Sequence, residues 1–402
     1  MKTNSRPFGF GTMETGVLAL LLGCWGLMAG GCGDDSGQGS FDGSSNQNGD
    51  ASTQGDGGGN SNTNQNTNSN TNSNSNGNNN NGGICGASEG RLFDDDHPWN
   101  QRADAMSLDV ESEDIISYLQ TNHTSSQRFR IDGPSEEAGN LYGITLLFAD
   151  EGTTHEAFTP TIDHFSPDCD TSPVPLPQGG AIEGEAGYAC ASDGDCHLLV
   201  VDTAECRLFE MWRANVTTSE FLGGCLAVWD LTQTYGPTLR GDCCTSADAA
   251  GLPIAAHMFG PDEIAAGEIR HAIRFILPNE HMRERIYVRP ATHSTGQTSG
   301  PADAPPYGAR LRLRSDFDPS ALNTAARVVA VALQRYGMIL SDGGGLTFTA
   351  LNDRFTAHTW AEVGLGPNDL TSLEWTDFEV VELGERFLWN NACDCSRTPL
   401  AQ

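Results

Sequence analysis

Apolar positions gather in two runs, HLLVVD (197–202) and CRLFEMW (206–212), and only Thr203, Ala204 and Glu205 separate them. Two such runs with so short a connection predict a β-hairpin. On its second strand Leu208 and Glu210 face one way and Arg207, Phe209 and Met211 the other, so Glu210 points to solvent or into a cleft. Further strands are predicted at Tyr142 to Phe148, FLGGCLAVWDL (221–231), His271 to Ile276, IYVRPATH (286–293), ARLRLRS (309–315) and DFEVVEL (377–383). MILSD (338–342) and LTFTAL (346–351) read as a second hairpin around Gly343, Gly344 and Gly345.

Helical spacing is strong in one place, about 320–336, with Val328, Val329, Val331 and Leu333 apolar, Asp318 or Ser320 as cap and Gly337 as terminator. Shorter helices are predicted at SEDIISYLQ, where Ile115, Ile116 and Leu119 turn inward, and after Pro261, which suits a first helical turn. A passage with Pro167, Pro173, Pro175 and Pro177 reads as a long surface loop. Strands predominate and do not alternate with helices. The expected fold is therefore a strand-rich α+β domain with a β-sandwich-like core, one long helix and short ones.

The first 83 residues carry no such pattern. Lys2 and Arg6 precede an apolar run from Val17 to Met28, and Ala29, Gly30 and Gly31 lead to Cys32. This is the order of a secretory signal, and the small residues before Cys32 resemble a lipoprotein cleavage box. Residues 1–31 are thus expected to be removed, with Cys32 lipidated and holding the chain to a lipid bilayer outside the cytoplasm, in the periplasm or at the cell surface. From 33 to 83 the chain is almost wholly Asn, Ser, Gly, Thr, Gln and Asp. Such a stretch cannot bury a core and reads as a tether with a mean span of about 40 Å.

Residues 84–402 are expected to form one globular domain. They hold 20 Arg, no Lys and 47 Asp plus Glu, a net charge near −27, which disfavours nucleic acid as a partner. They also hold ten cysteines, an even number in an exported chain, so up to five disulfides are expected. Neighbouring Cys243 and Cys244 each reach elsewhere, while Cys85, Cys393 and Cys395 are placed to staple the termini. No Cys-x-x-Cys pair occurs, and no metal or other cofactor is expected.

No G-x-S-x-G, H-E-x-x-H, Walker loop, dinucleotide fingerprint or EF-hand is present. The chemistry-bearing residues concentrate instead in Asp242 to Ile276, which brings Asp248, Glu263, Glu268 and His271 close in sequence. His197, His271 and His293 each sit at a predicted strand end. If the strands of His271 and His293 pair, one concave surface is expected to collect Asp248, Glu268, His271, His293 and Arg310. Between Arg270 and Arg314 there are eight Arg against three acidic residues, and Arg310, Arg312 and Arg314 share a strand face. With Trp99, Tyr287 and Tyr307 available for stacking on sugars, a polysaccharide, first of all an anionic one, is the expected ligand. Neutralisation of the protein's own carboxylates by these arginines is the competing explanation. In the enzymatic alternatives Arg310 and His271 serve a polysaccharide lyase, or Glu210 and Glu268 form the carboxylate pair of a glycoside hydrolase.

HPWN, HLLVVD with CRLFEMW, TSADAAGLPI, GEIRHAIRF, YVRPATH, PPYGARLRLRSDFD, RYGMILSDGG and DFEVV together span most of residues 91–382. This combination resembles a family of exported bacterial proteins of unknown function, many labelled hypothetical lipoproteins. The resemblance implies export and supplies no catalytic residues.

Overall fold

The computed structural model describes residues 83–122, 128–135, 141–192, 194–390 and 392–400. The expected signal segment 1–31, the lipidated Cys32 and the tether up to residue 82 lie outside them. Ten strands form the two main sheets: β1 (Ile131–Asp132), β2 (Leu146–Ala149), β3 (Leu198–Asp202), β4 (Arg207–Met211), β5 (Leu226–Asp230), β6 (Ile273–Leu277), β7 (Arg310–Leu313), β8 (Met338–Gly343), β9 (Thr347–Thr349) and β10 (Phe378–Val380). One sheet has the order β5-β4-β3-β2 and the other β1-β9-β6-β8-β7-β10. Four α-helices accompany them, α1 (Ser112–Asn122), α2 (Pro261–Ala266), α3 (Thr324–Arg335) and α4 (Trp360–Val363). The fold is strand-rich α+β around a sandwich-like core, as the pattern predicted. Among the described residues no helix is long and apolar enough to cross a membrane.

β3 and β4 form the predicted hairpin, with Leu198 opposite Met211 and Asp202 opposite Arg207. The Asp202 carboxylate closes the turn by accepting from the backbone N–H groups of Ala204 and Glu205, both at 2.9 Å. Alternation splits the sheet between two cores. Leu199, Val201, Leu208 and Trp229 join a large cluster that continues into Ile273, Phe275, Ile339 and Phe348 of the six-stranded sheet. Leu198, Val200, Phe209 and Met211 face a smaller cluster with Phe158, Val174 and Ile182. Buried on both faces, β3 reads as a continuous apolar run.

The second predicted hairpin does not form. β6 lies between β8 and β9, parallel to the first and antiparallel to the second. Its fully buried Ile273 and Phe275 take a neighbour along each edge, so the glycine loop 343–345 passes across β6 instead of turning back on β8. Nor do the strands of His271 and His293 pair, because Ile286–Tyr287 pairs with Phe387–Leu388. The proline passage is not wholly surface loop either: Val174 is fully buried and pairs with Glu156.

The long helix begins at Thr324, capped by Asn323, whose side chain accepts from the Ala326 N–H at 2.8 Å. Asp318 caps a separate short turn, Pro319–Ala321, so the helix is shorter than 320–336. Gly337 ends it at φ +74°, where a Cβ would lie 2.4 Å from the Leu311 carbonyl oxygen. α2 starts at Pro261 as predicted and stops at left-handed Gly267. Five disulfides join Cys85 to Cys206, Cys169 to Cys225, Cys190 to Cys196, Cys243 to Cys393 and Cys244 to Cys395. Adjacent cysteines thus reach a common C-terminal segment, while Cys85 is tied to the first hairpin and not to the C-terminus.

Candidate functional site

Loops drawn from across the domain enclose a cleft of about 920 Å³. Its aromatic lining consists of Phe165, Trp212, Tyr307 and Trp389, and its carboxylates are Asp168, Asp195, Asp342 and Asp394. Disulfides set these loops. Cys169–Cys225 fixes the chain beside Phe165 and Asp168, and Cys243–Cys393 with Cys244–Cys395 holds the segment carrying Trp389 and Asp394 against residues 243–249.

Two histidines line the cleft in opposite protonation states. His293 donates from Nδ1 to the Ala249 carbonyl oxygen at 2.8 Å, which leaves Nε2 as a bare acceptor. Burial depresses its pKa against the pull of that bond and of Asp168, so the ring is neutral. Its edge meets the Trp389 ring at 5.1 Å between centroids. His197 sits with Nδ1 at 2.6 Å from Glu183 and Nε2 at 3.4 Å from the Ala247 carbonyl. Burial would lower its pKa, but the Glu183 carboxylate overrides this and holds it at about 9, so both nitrogens donate.

Below the lining, Arg274 of β6 ties two carboxylates together. Its Nη2 donates to Asp248 Oδ1 at 2.8 Å and to Asp342 Oδ2 at 3.1 Å, and its Nη1 donates to Thr349 at 2.7 Å. Burial pushes the Asp248 carboxyl up to about 8 and raises that of Asp342, with Arg274 opposing both rises. The Thr245 N–H fixes Asp168 through Oδ2 at 2.8 Å, and the indole N–H of Trp212 donates to Asp195 Oδ1 at 3.0 Å.

The expected five-residue surface is not assembled. His293 lines the cleft; Asp248, Glu268, His271 and Arg310 do not. Asp248 is 1 % exposed and committed to Arg274. His271 is buried, with Nδ1 on the Ala272 carbonyl and Nε2 3.2 Å from Glu263. Glu268 lies on the surface between Arg270 and Arg335, at 3.0 and 3.1 Å. Glu210, expected in solvent or a cleft, is sealed in the core, where the Trp229 indole and the Ala255 N–H donate to its two oxygens and burial raises its pKa to about 7.

The arginines serve the fold. Arg310 donates to the carbonyls of Tyr336, Pro98 and Gln101, and Arg312 donates to Glu379, Ala103 and Met106, so together they staple residues 98–106 to the sheet. Arg314 pairs with Asp316 at the surface. Arg283 and Arg289 pair with Glu111 and Asp242. Self-neutralisation, the competing explanation, describes the pairs made by Arg312, Arg314, Arg283 and Arg289, while Arg310 serves backbone carbonyls. Trp99 has no exposed surface and stacks on His97 inside an aromatic group with Phe93. Of the aromatic residues expected to meet sugar, only Tyr307 touches the cleft.

Sequence reasoning missed Asp168, Asp195, Trp212, Asp342 and Trp389. Cysteine was the available signal, since Cys225, Cys243, Cys393 and Cys395 also line the cleft. Among the described residues, His155, Asp202 and Glu205 also gather closely enough to hold a metal ion. The hairpin turn and the 3.0 Å His155–Asp202 pair account for that grouping. No protein-family model matches this chain, and neither does any curated protein or solved structure.

Proposed function

We propose that the domain of this exported, lipid-anchored chain binds polysaccharide in the 920 Å³ cleft. The observation that carries this is the pairing of partly exposed aromatic rings, Phe165, Trp212 and Trp389, with fixed carboxylates and the acceptor-only His293 in one concave surface. Flat rings cover the apolar faces of sugars, and fixed acceptors take their hydroxyl protons. Among the described residues the lining contains no arginine, so the anionic preference expected from Arg310, Arg312 and Arg314 is not kept.

A glycan array probed with the full chain, followed by Trp212→Ala and Trp389→Ala, tests the proposal. Retention of a polysaccharide and its loss in both variants is the expected result. No retention of any glycan overturns it. The lyase alternative loses Arg310 and His271 and the hydrolase pair loses Glu210, because these three are enclosed, and Glu268 lies at the surface away from the cleft lining. Release of new reducing or unsaturated ends from a retained glycan would move the proposal from binding to cleavage.

A further inference from the structure

Resting on the glycan proposal, we infer that the cleft selects sugars bearing a free amine over neutral or N-acetylated ones. Among the described residues, four aspartates line it, and no arginine or lysine side chain does. Of the cationic groups near it, His197, Arg274 and Arg213 pair with carboxylates and Arg285 rests against an aromatic ring. His197 is paired with Glu183, and Arg274 lies beneath the lining between Asp248 and Asp342. Arg285 lies over Trp389 at 5.8 Å and Arg213 over Trp212 at 5.2 Å, each beside a ring and outside the lining. His293 adds an acceptor, since its Nε2 has no proton to give.

Asp195 defines the position most closely. Its Oδ1 accepts from the Trp212 indole N–H, which places the carboxylate at the edge of the ring plane. Its Oδ2 takes no hydrogen bond among the described residues. A sugar stacked on Trp212 would therefore bring an equatorial substituent to a carboxylate whose free oxygen lacks a donor. An ammonium supplies both donor and charge there, while an acetamide supplies one N–H and no charge. Asp168, with Oδ2 held by Thr245, provides a second fixed carboxylate on the wall formed by residues 165–168.

The experiment is isothermal titration of the full chain with glucosamine hexamer, N-acetylglucosamine hexamer, cellohexaose and spermine at pH 6 and low salt. Glucosamine hexamer should bind about tenfold tighter than either neutral hexamer, the equivalent of one charge-assisted hydrogen bond. Raising the salt should erode that advantage. Asp195→Asn should bring the ratio close to one while leaving weak binding, and Trp212→Ala should abolish both. Asp168→Asn, read the same way, guards against an Asp195 variant that misfolds. Equal binding of the three hexamers overturns the amine inference and leaves the glycan proposal standing. Spermine binding as tightly as glucosamine hexamer while the neutral hexamers do not bind keeps the amine site and removes the glycan proposal. No binding by any of the four overturns both.

Discussion

The large core and the smaller cluster share the sheet β5-β4-β3-β2 but are held differently. On one face of that sheet, Leu199, Val201, Leu208 and Trp229 merge with the apolar faces of β6, β7 and β8 and with α3, and Arg274 bridges Asp248 and Asp342 inside. On the other face, Phe209, Met211 and Val228 meet only short ribbons and loops, and Cys190–Cys196 lies in that cluster while Cys169–Cys225 anchors the start of β5. A large core contributes roughly 1.5–3 kcal/mol for each fully buried aliphatic or aromatic side chain. A thin one cannot supply enough burial, and chain cross-links offset the entropy of its loops. The cleft lies where the cross-linked loops are, so the proposed binding surface rests on disulfide-set loops against a rigid scaffold.

The contrast breaks most sharply at Arg274. Arg274→Met should cost about 3–5 kcal/mol, because it leaves Asp248, Asp342 and Thr349 without their common donor in the core. Chemical denaturation measures the loss. The double variant Arg274→Met with Asp248→Leu should recover much of it, since a buried pair can be replaced by apolar packing more cheaply than it can be halved. A single variant as stable as the parent would mean that the large core does not depend on this bridge.

Next in size is the Cys169–Cys225 link, which closes a separation of 56 residues. Replacing both by alanine should cost about 4 kcal/mol by loop-closure entropy. The comparison makes a sharper demand on where the loss appears. Hydrogen exchange should rise in the segments of the small cluster, around Phe158 and Val174, before it rises in α3. Uniform loss of protection would show the two cores to be one cooperative unit.

The parts of the fold visible in the sequence follow this division. The hairpin of β3 and β4 was legible because two apolar runs are joined by a turn of three residues, and the start of α2 was legible from Pro261. Local signals of that kind say nothing about sheet order, so the insertion of β6 between β8 and β9 was invisible. The site was less legible than the fold. His271 and Asp248 looked functional because polar residues crowd one stretch, yet burial turned both into structural partners. Trp212 and Trp389 are 177 residues apart, and only the closed fold brings both to the cleft. His293 was identified for its strand-end position, although the pairing expected to place it does not occur.

A smaller effect separates the cleft histidine from the core beneath it. The folded pKa of His197 is raised to about 9 from an ordinary 6.5. A raised value means that the folded state holds the proton more tightly, so the stabilisation is complete below about pH 6.5 and is lost as pH rises towards 9. The slope of unfolding free energy from this group reaches at most about 1.4 kcal/mol per pH unit in that window. His197→Gln should flatten the pH dependence of stability between pH 7 and 9 and should lower stability most near pH 5 to 6.5, where the protonated ring is paired with Glu183, with little change at pH 9. An unchanged slope would assign the pH dependence to other groups, such as Asp248.

The smallest expected effect concerns Arg314. It shares a strand face with Arg310 and Arg312, and the sequence offers no way to rank the three. Burial ranks them. Arg310 is 7 % exposed and its guanidinium satisfies three backbone carbonyls, whereas the Arg314 side chain is 47 % exposed and meets only Asp316 across a two-residue turn. Exposed pairs of this kind are worth roughly 0–1 kcal/mol and are screened by salt. Arg314→Ala should therefore change the unfolding free energy by no more than about 0.5 kcal/mol and leave glycan binding unchanged. Arg310→Ala should be clearly destabilising, because the carbonyls of Tyr336, Pro98 and Gln101 would be left inside without donors. Comparable losses from the two variants would mean that the strand acts through its summed charge and not through the separate contacts of each arginine, and would return the arginine face to consideration as a binding surface.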